Sequence, residues 1–266
     1  MIRDISFGQY YPADSPLHRM DPRAKITSLF LLYIGVFFLD RGISYGIASA
    51  LCLGLMAYSR VPAKVYWRST RLIFALILFG ALFNIFFTEG DILWQWGMVK
   101  ITREGLWAAL FMALRILLLL YPALVLTFTT TPMALTNALE QMGRPLTKLG
   151  LPIHEIAMIM SIALRFIPTI LEEAETILRA QKSRGADFSV RNWRQLSVHV
   201  TAFAVPLFVG AFRRSDELAM AMEARGYHGG VGRTTFRVLK LRPADGVAMA
   251  FCLALTILAA AVRWWI

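Results

Sequence analysis

Hydrophobic positions along this chain fall into two kinds of run. Five stretches are apolar on every side: 26–39, 43–58, 72–87, 106–128 and 247–264. A helix that crosses a bilayer needs about 20 apolar residues. The first three runs are shorter, and span by recruiting flanking residues or by thinning the bilayer locally. The fourth is long enough alone and carries Arg115 and Pro122. An arginine at that depth should face protein or snorkel toward an interface, not meet lipid tails. Between 130 and 242 the pattern changes to helices with two characters. Pro132 stands at a helix-start position and Gly143 closes that element. A second helix opens at Pro152, apolar nearly all round over 156–167. It then turns amphipathic, with Ile167, Leu171, Ala174, Leu178 and Gln181 on one face and Glu172, Glu173, Thr176, Arg179 and Lys182 on the other. A third, from near Leu196, repeats the design: apolar over 203–212, polar-faced over 213–223. Pro168 and Pro206 fall where the character changes, and a kink is expected at each.

The second and third helices share more than their layout. Glu175-Thr-Ile-Leu-Arg-Ala180-Gln-Lys-Ser183-Arg184-Gly185 aligns with Asp216-Glu-Leu-Ala-Met-Ala221-Met-Glu-Ala224-Arg225-Gly226. The leading acid, an aliphatic, the alanine, the arginine and the glycine match. A repeat means one physical task performed twice. Arginine near a helix C-terminus complements the macrodipole, and glycine supplies a left-handed residue after it. Capping alone requires neither the matching acid nine residues upstream nor the matching alanine. A guanidinium at the tip of a rigid helix is suited to bidentate capture of a carboxylate in a partner's groove. The spacing therefore predicts two helix tips docking into two equivalent grooves of a dimeric soluble partner.

Composition places these elements in a membrane. Of 266 residues, 57% are hydrophobic and 17% charged, with a mean hydropathy of +0.56. A soluble domain is nearer a quarter charged. The net charge of +11 is read as arginine and lysine retained on the cytoplasmic side, since basic residues interleaved with aromatics on a polar face, as nucleic acid requires, are lacking. Arg19, Arg23 and Lys25 precede the first span, and Arg60, Lys64, Arg68 and Arg71 fill the second connection. The first connection has only Asp40 and Arg41. The third mixes Glu89, Asp91, Lys100, Arg103 and Glu104, with Trp94 and Trp96 as interfacial anchors. The positive-inside rule then puts the N-terminus in the cytoplasm, gives five spans, and leaves 131–242 inside. Seven spans is the alternative count. The early charged residues match neither a secretory signal nor a transit peptide.

Other chemistry is thinly represented. His18, His154, His199 and His228 stand far apart, and Cys52 and Cys252 lie in apolar runs, so a metal centre or disulfide framework is not expected. Glu172, Glu173 and Glu175 read as a solvated helix face, with Arg179 and Lys182 at salt-bridge spacing. Asp21-Pro22-Arg23 reads as a turn into the first span, and Gly229-Gly230-Val231-Gly232 as a flexible return. No G-x-x-x-x-G-K-[ST] phosphate loop occurs, so any ATP would be handled by another chain.

With Phe7-Gly-Gln-Tyr10, Asp21-Pro22-Arg23-Ala-Lys25, Arg165-Phe-Ile-Pro168, Ser183-Arg184-Gly185-Ala-Asp-Phe188 and Glu223-Ala224-Arg225-Gly226-Tyr227 in view, the chain resembles the transmembrane (T) component of energy-coupling factor transporters over essentially its whole length. That family carries two Ala-Arg-Gly motifs on cytoplasmic coupling helices. The second is present verbatim, and the first reads Ser-Arg-Gly. The resemblance implies an all-α integral membrane protein: four spans in 1–130, a cytoplasmic coupling domain in 131–242, and a last span in 243–266. It implies a non-catalytic subunit of a vitamin importer in a bacterial plasma membrane. Two cytoplasmic ATPase subunits would handle ATP and magnesium and each receive one arginine-bearing tip. A small substrate-binding membrane component would be gripped by the membrane helices. Arg165, Pro168, Glu175 and Asp216 are expected to support the coupling helices, and Asp21, Pro22, Arg23 and Lys25 to form the N-terminal motif. No metal, cofactor or nucleic acid is expected on this chain. The rivals are a membrane-embedded lipid-modifying transferase, which would need paired acids for Mg²⁺ beside a span, and a secondary transporter, which would carry its repeat across the bilayer.

Overall fold

In a computed structural model, described over residues 10–39, 42–96, 99–187, 192–229 and 241–264, the chain is helical apart from one short hairpin. Phe7 to Gln9, Asp40, Arg41, Phe188 and the glycine cluster from Gly230 onward lie outside the described residues. The α-helices are α1 Pro16–Arg19, α2 Pro22–Phe37, α3 Gly42–Ser59, α4 Ala63–Phe87, α5 Arg103–Thr129, α6 Pro132–Gly143, α7 Ile153–Ser183, α8 Trp193–Ala224 and α9 Pro243–Trp264, with a 3-10 turn over Arg144–Leu149 between α6 and α7. The strands β1 Ile92–Trp96 and β2 Val99–Thr102 pair antiparallel between α4 and α5, where a plain connection was expected. The chain divides into two compact units, one taking in α1 to α5 with α9, the other α7 and α8.

In the first unit α5 is central, packing on α2, α3 and α4, while α9 lies along α2. Lipid tails are as apolar as leucine, so such helices are held by close approach and polar contacts more than by water exclusion. Both are visible. At Gly35 a Cβ would stand 3.3 Å from Thr256 Oγ1, and that hydroxyl donates to the Leu31 carbonyl at 2.9 Å. The Tyr33 hydroxyl donates to the Leu119 carbonyl of α5 at 2.8 Å. Tyr66 sets its ring edge-on to Phe128 at 5.1 Å in a cluster with Val61 and Val125. Arg115 turns inward as expected: Nη2 donates to the Tyr45 hydroxyl at 2.7 Å and to the Leu39 carbonyl at 3.3 Å. The outer faces stay apolar, Leu72 of α4 being 80% exposed.

In the second unit α7 and α8 pack along each other, and each runs as one helix through its proline, Pro168 or Pro206. Pro152 stands at the α7 N-cap. Among the described residues six helices are long and apolar enough to cross a bilayer: α3, α4, α5, α7, α8 and α9. The 16-residue α2 falls below that length.

Candidate functional site: two arginine-tipped helix ends

The repeated motif folds into the same structure twice. At the end of α7, Arg184 is the C-cap with φ −88°, and Gly185 follows at φ +90°. The Gly185 N–H donates to the Lys182 carbonyl at 3.0 Å and the Ala186 N–H to the Gln181 carbonyl at 2.9 Å. At the end of α8, Arg225 is the C-cap with φ −91° and Gly226 stands at φ +71°. Its N–H donates to Glu223 at 2.9 Å and the Tyr227 N–H to Met222 at 3.0 Å. These paired bonds are Schellman caps, which need a left-handed residue at the position glycine holds. A Cβ on either glycine would meet no neighbour, but the dihedral disfavours it. The caps explain the glycines. They leave Arg184 and Arg225 exposed beyond the last turn, together with Ser183 and Ala224.

The two tips point to opposite ends of one assembly. Gln181, near the end of α7, donates to the Ala202 carbonyl in the first third of α8 at 3.0 Å. Further back, Glu173 accepts from Arg214 Nη2 at 2.8 Å, and the Arg214 guanidinium lies 6.0 Å from the Phe166 ring centroid. Near the start of α7, Met158, Ser161 and Arg165 share a cavity of about 800 Å³ with Met222, Arg225 and Gly226. One residue number rises as its partner's falls, so the helices are antiparallel. Arg225 lies level with the second turn of α7, about 25 residues and ~37 Å along the axis from Arg184 at 1.5 Å per residue.

This arrangement corrects one expectation. Glu173 is not on a solvated face with Arg179 and Lys182. It is half-buried against α8, because seven residues (two turns) align it with Phe166 and both meet Arg214. Gly210 makes room, since a Cβ there would collide with the Glu173 carboxylate. Among the described residues Glu175 and Asp216 form no ion pair; Glu175 is half-buried and Asp216 exposed. Pro168 is exposed on α7, and Arg165 is exposed beside Arg225 in the shared cavity. The Glu-Glu and Arg-Arg doublets were the available signal for the cross-link, and helical period alone could not say which member faced the neighbour.

A family model described as cobalt transport protein matches residues 13–236. The energy-coupling factor transporter transmembrane protein EcfT of Acidaminococcus fermentans is 43% identical over 266 residues, covering 100% of this chain and 99% of the relative. That of Ruminiclostridium cellulolyticum is 43% identical over 255 residues, 94% of this chain and 96% of the relative. That of Bacillus subtilis is 41% identical over 240 residues, 90% and 91% respectively. The chain belongs to the EcfT family. It is a multi-pass membrane protein, the transmembrane component of an energy-coupling factor transporter, and a transport subunit, not an enzyme.

In this EcfT-family chain the N-terminal motif is a knot of buried polar groups. Asp21, 6% exposed, caps α2 by accepting from the Arg23 N–H at 2.9 Å and pairs with the Arg23 guanidinium at 3.0 Å. Pro22 occupies the first helical turn, where its missing N–H costs nothing. Lys25 Nζ donates to the Thr129 carbonyl at 2.9 Å and to Thr130 Oγ1 at 3.0 Å, tying α2 to the end of α5. Asp245, 1% exposed, accepts from the Asp21 N–H at 3.3 Å and the Arg242 N–H at 2.8 Å, tying in the start of α9. Asp245 escaped sequence reasoning because its partner lies 224 residues away. Among the described residues no group of His, Cys, Asp and Glu is placed to hold a metal ion.

Proposed function

We propose that α7 and α8 form a rigid strut that couples two cytoplasmic ATPase subunits to a separate substrate-binding membrane component during vitamin import. Each ATPase receives one arginine tip in a groove that offers a carboxylate, and ATP and magnesium stay with those partners. The observation that carries this reading is the pair of identical caps exposing Arg184 and Arg225 at opposite ends of one antiparallel helix pair. Two equivalent sites on a dimer need two equivalent cations held at a set separation, and this strut supplies both. Closure of the dimer on ATP changes the separation of its grooves. A strut pinned at both ends must then tilt or bend, and passes the motion to the membrane helices. In this reading the N-terminus is cytoplasmic and residues 131–242 are the coupling domain. The exposed Ile159 and Met160 of α7 and Phe208 and Phe212 of α8 lie against the substrate-binding component or the membrane surface.

The test is charge reversal in the complete transporter. Arg184→Glu and Arg225→Glu each remove one desolvated, hydrogen-bonded charge at the interface, a loss of about 2–5 kcal/mol, or roughly 30- to 5,000-fold in affinity. The variants should insert normally, lose the co-purifying ATPases, and abolish ATP-driven uptake in proteoliposomes. Full uptake with unchanged ATPase association in the double variant overturns the docking role.

A further inference from the structure

Outside the strut, the first unit contains a cavity that the coupling reading does not use. It has a volume of about 630 Å³, and its lining includes Arg19, Arg60 and Arg242 together with Tyr58, Val247 and Phe251. Two smaller apolar cavities, of about 90 and 120 Å³, continue inward from it. Leu55 lines all three, Ala248 the first and second, and Leu32 and Pro122 the second and third. The result is a crevice along α3 and α9 with a cationic mouth and a greasy interior.

Of the three arginines at the mouth, Arg19 is paired within the chain, while Arg60 and Arg242 have no carboxylate partner among the described residues. Asp14 also lines it, but its carboxylate is taken bidentately by Arg19, at 2.9 and 2.7 Å, which holds that carboxyl below the usual aspartate range. Asp245 lines it too, with both oxygens accepting backbone N–H groups. Arg60 Nη1 donates to the Asp14 carbonyl at 3.1 Å, which fixes the side chain without cancelling its charge. Arg60 also adopts φ +56°, a left-handed conformation that glycine or asparagine would take with less strain. Strain of this kind gathers where a side chain has a task.

Depth completes the argument. Arg60 directly follows the last residue of α3, and Arg242 directly precedes the first of α9, so both guanidinium groups stand where spans leave the hydrocarbon. Tyr58 beside them is of the type that anchors at that level. We propose that this crevice binds one anionic phospholipid, with its phosphate between Arg60 and Arg242 and one acyl chain running inward past Leu55 toward Leu32 and Pro122. A free phosphate shares the headgroup chemistry but leaves the apolar wall unfilled. The proposal needs the chain to span a membrane and is independent of the docking of Arg184 and Arg225.

Native mass spectrometry on the delipidated full chain tests it, with phosphatidylglycerol, phosphatidylcholine and inorganic phosphate as separate probes. One phosphatidylglycerol should bind at least tenfold tighter than phosphatidylcholine, and inorganic phosphate at equal concentration should not displace it. The surface double variant Arg60→Asn/Arg242→Gln should lose about fivefold per arginine, roughly thirtyfold together, while Arg60→Lys/Arg242→Lys keeps most of the preference. Leu55→Trp, which fills the crevice, should remove lipid binding and leave the arginines in place. Equal affinity for the two lipids, or a double variant that binds as tightly as the parent, overturns the site. Displacement by inorganic phosphate together with an indifferent Leu55→Trp overturns the acyl crevice and leaves an anion site only. The double variant touches exposed helix ends alone, so its outcome stands even if Leu55→Trp fails to fold.

Discussion

Lengthening one arm of the strut separates a two-point rigid coupler from two independent charged tips. Inserting four alanines between Met222 and Glu223 adds about four residues of helix, moving Arg225 outward by ~6 Å and turning it by only ~40°. The cap travels with it, because Glu223, Arg225, Gly226 and Tyr227 keep their order, and an alanine takes the role of Met222 as acceptor. The α7–α8 contacts at Gln181–Ala202 and Glu173–Arg214 lie upstream and are untouched. The tip separation therefore grows from ~37 to ~43 Å, measurable by double electron–electron resonance between spin labels at Ser183 and Ala224 after Cys52 and Cys252 are replaced. Two grooves at a set spacing can then engage only one tip at a time. Forfeiting the second contact removes an avidity of about 10²-fold or more, read as weaker capture of the ATPase dimer by biolayer interferometry. If the label distance lengthens as computed while ATPase affinity stays at the parent value, the rigid-strut reasoning is wrong. If the parent distance is found below ~25 Å, on the same rise per residue, the antiparallel register itself is wrong.

Two further perturbations test the supports. Lys25→Met should lower the thermal midpoint in detergent by about 3–9 °C, because the Thr129 carbonyl and Thr130 hydroxyl lose their donor at a cost of about 1–3 kcal/mol. An unchanged midpoint would mean that relief of the buried charge offsets the lost bonds in full. Gly226→Ala places a Cβ at φ +71°, costing about 1–2 kcal/mol. It should speed amide exchange over the last turn of α8 and weaken ATPase capture, while Gly226→Asn, which tolerates that conformation, should retain most of it. Exchange rates that stay at the parent value in Gly226→Ala would show that the cap does not hold the tip.

Much of the architecture could be read before any coordinates. The apolar runs located α3, α4, α5 and α9, and Pro132, Gly143 and Pro152 marked the ends of α6 and the start of α7. These are local signals: a helix shows its period, its first-turn proline and its closing glycine within a few residues. The two arginines were visible for the same reason, since a repeated cap is written in consecutive positions. The hairpin β1–β2 was missed because its strands are only five and four residues long, too short for alternation to stand out beside flanking spans.

Contacts between distant segments were another matter. Asp245 against Asp21, Lys25 against Thr129, and Glu173 against Arg214 each join groups far apart in the chain, and neither period nor composition selects one pairing from many. The order of residues made this a basic, membrane-spanning helical chain with two cationic helix ends, because hydrophobicity, charge and capping act over a turn or two. Packing of α7 against α8 in antiparallel register turned those ends into opposite poles of one strut, because only interhelical contact sets the direction and the distance between them.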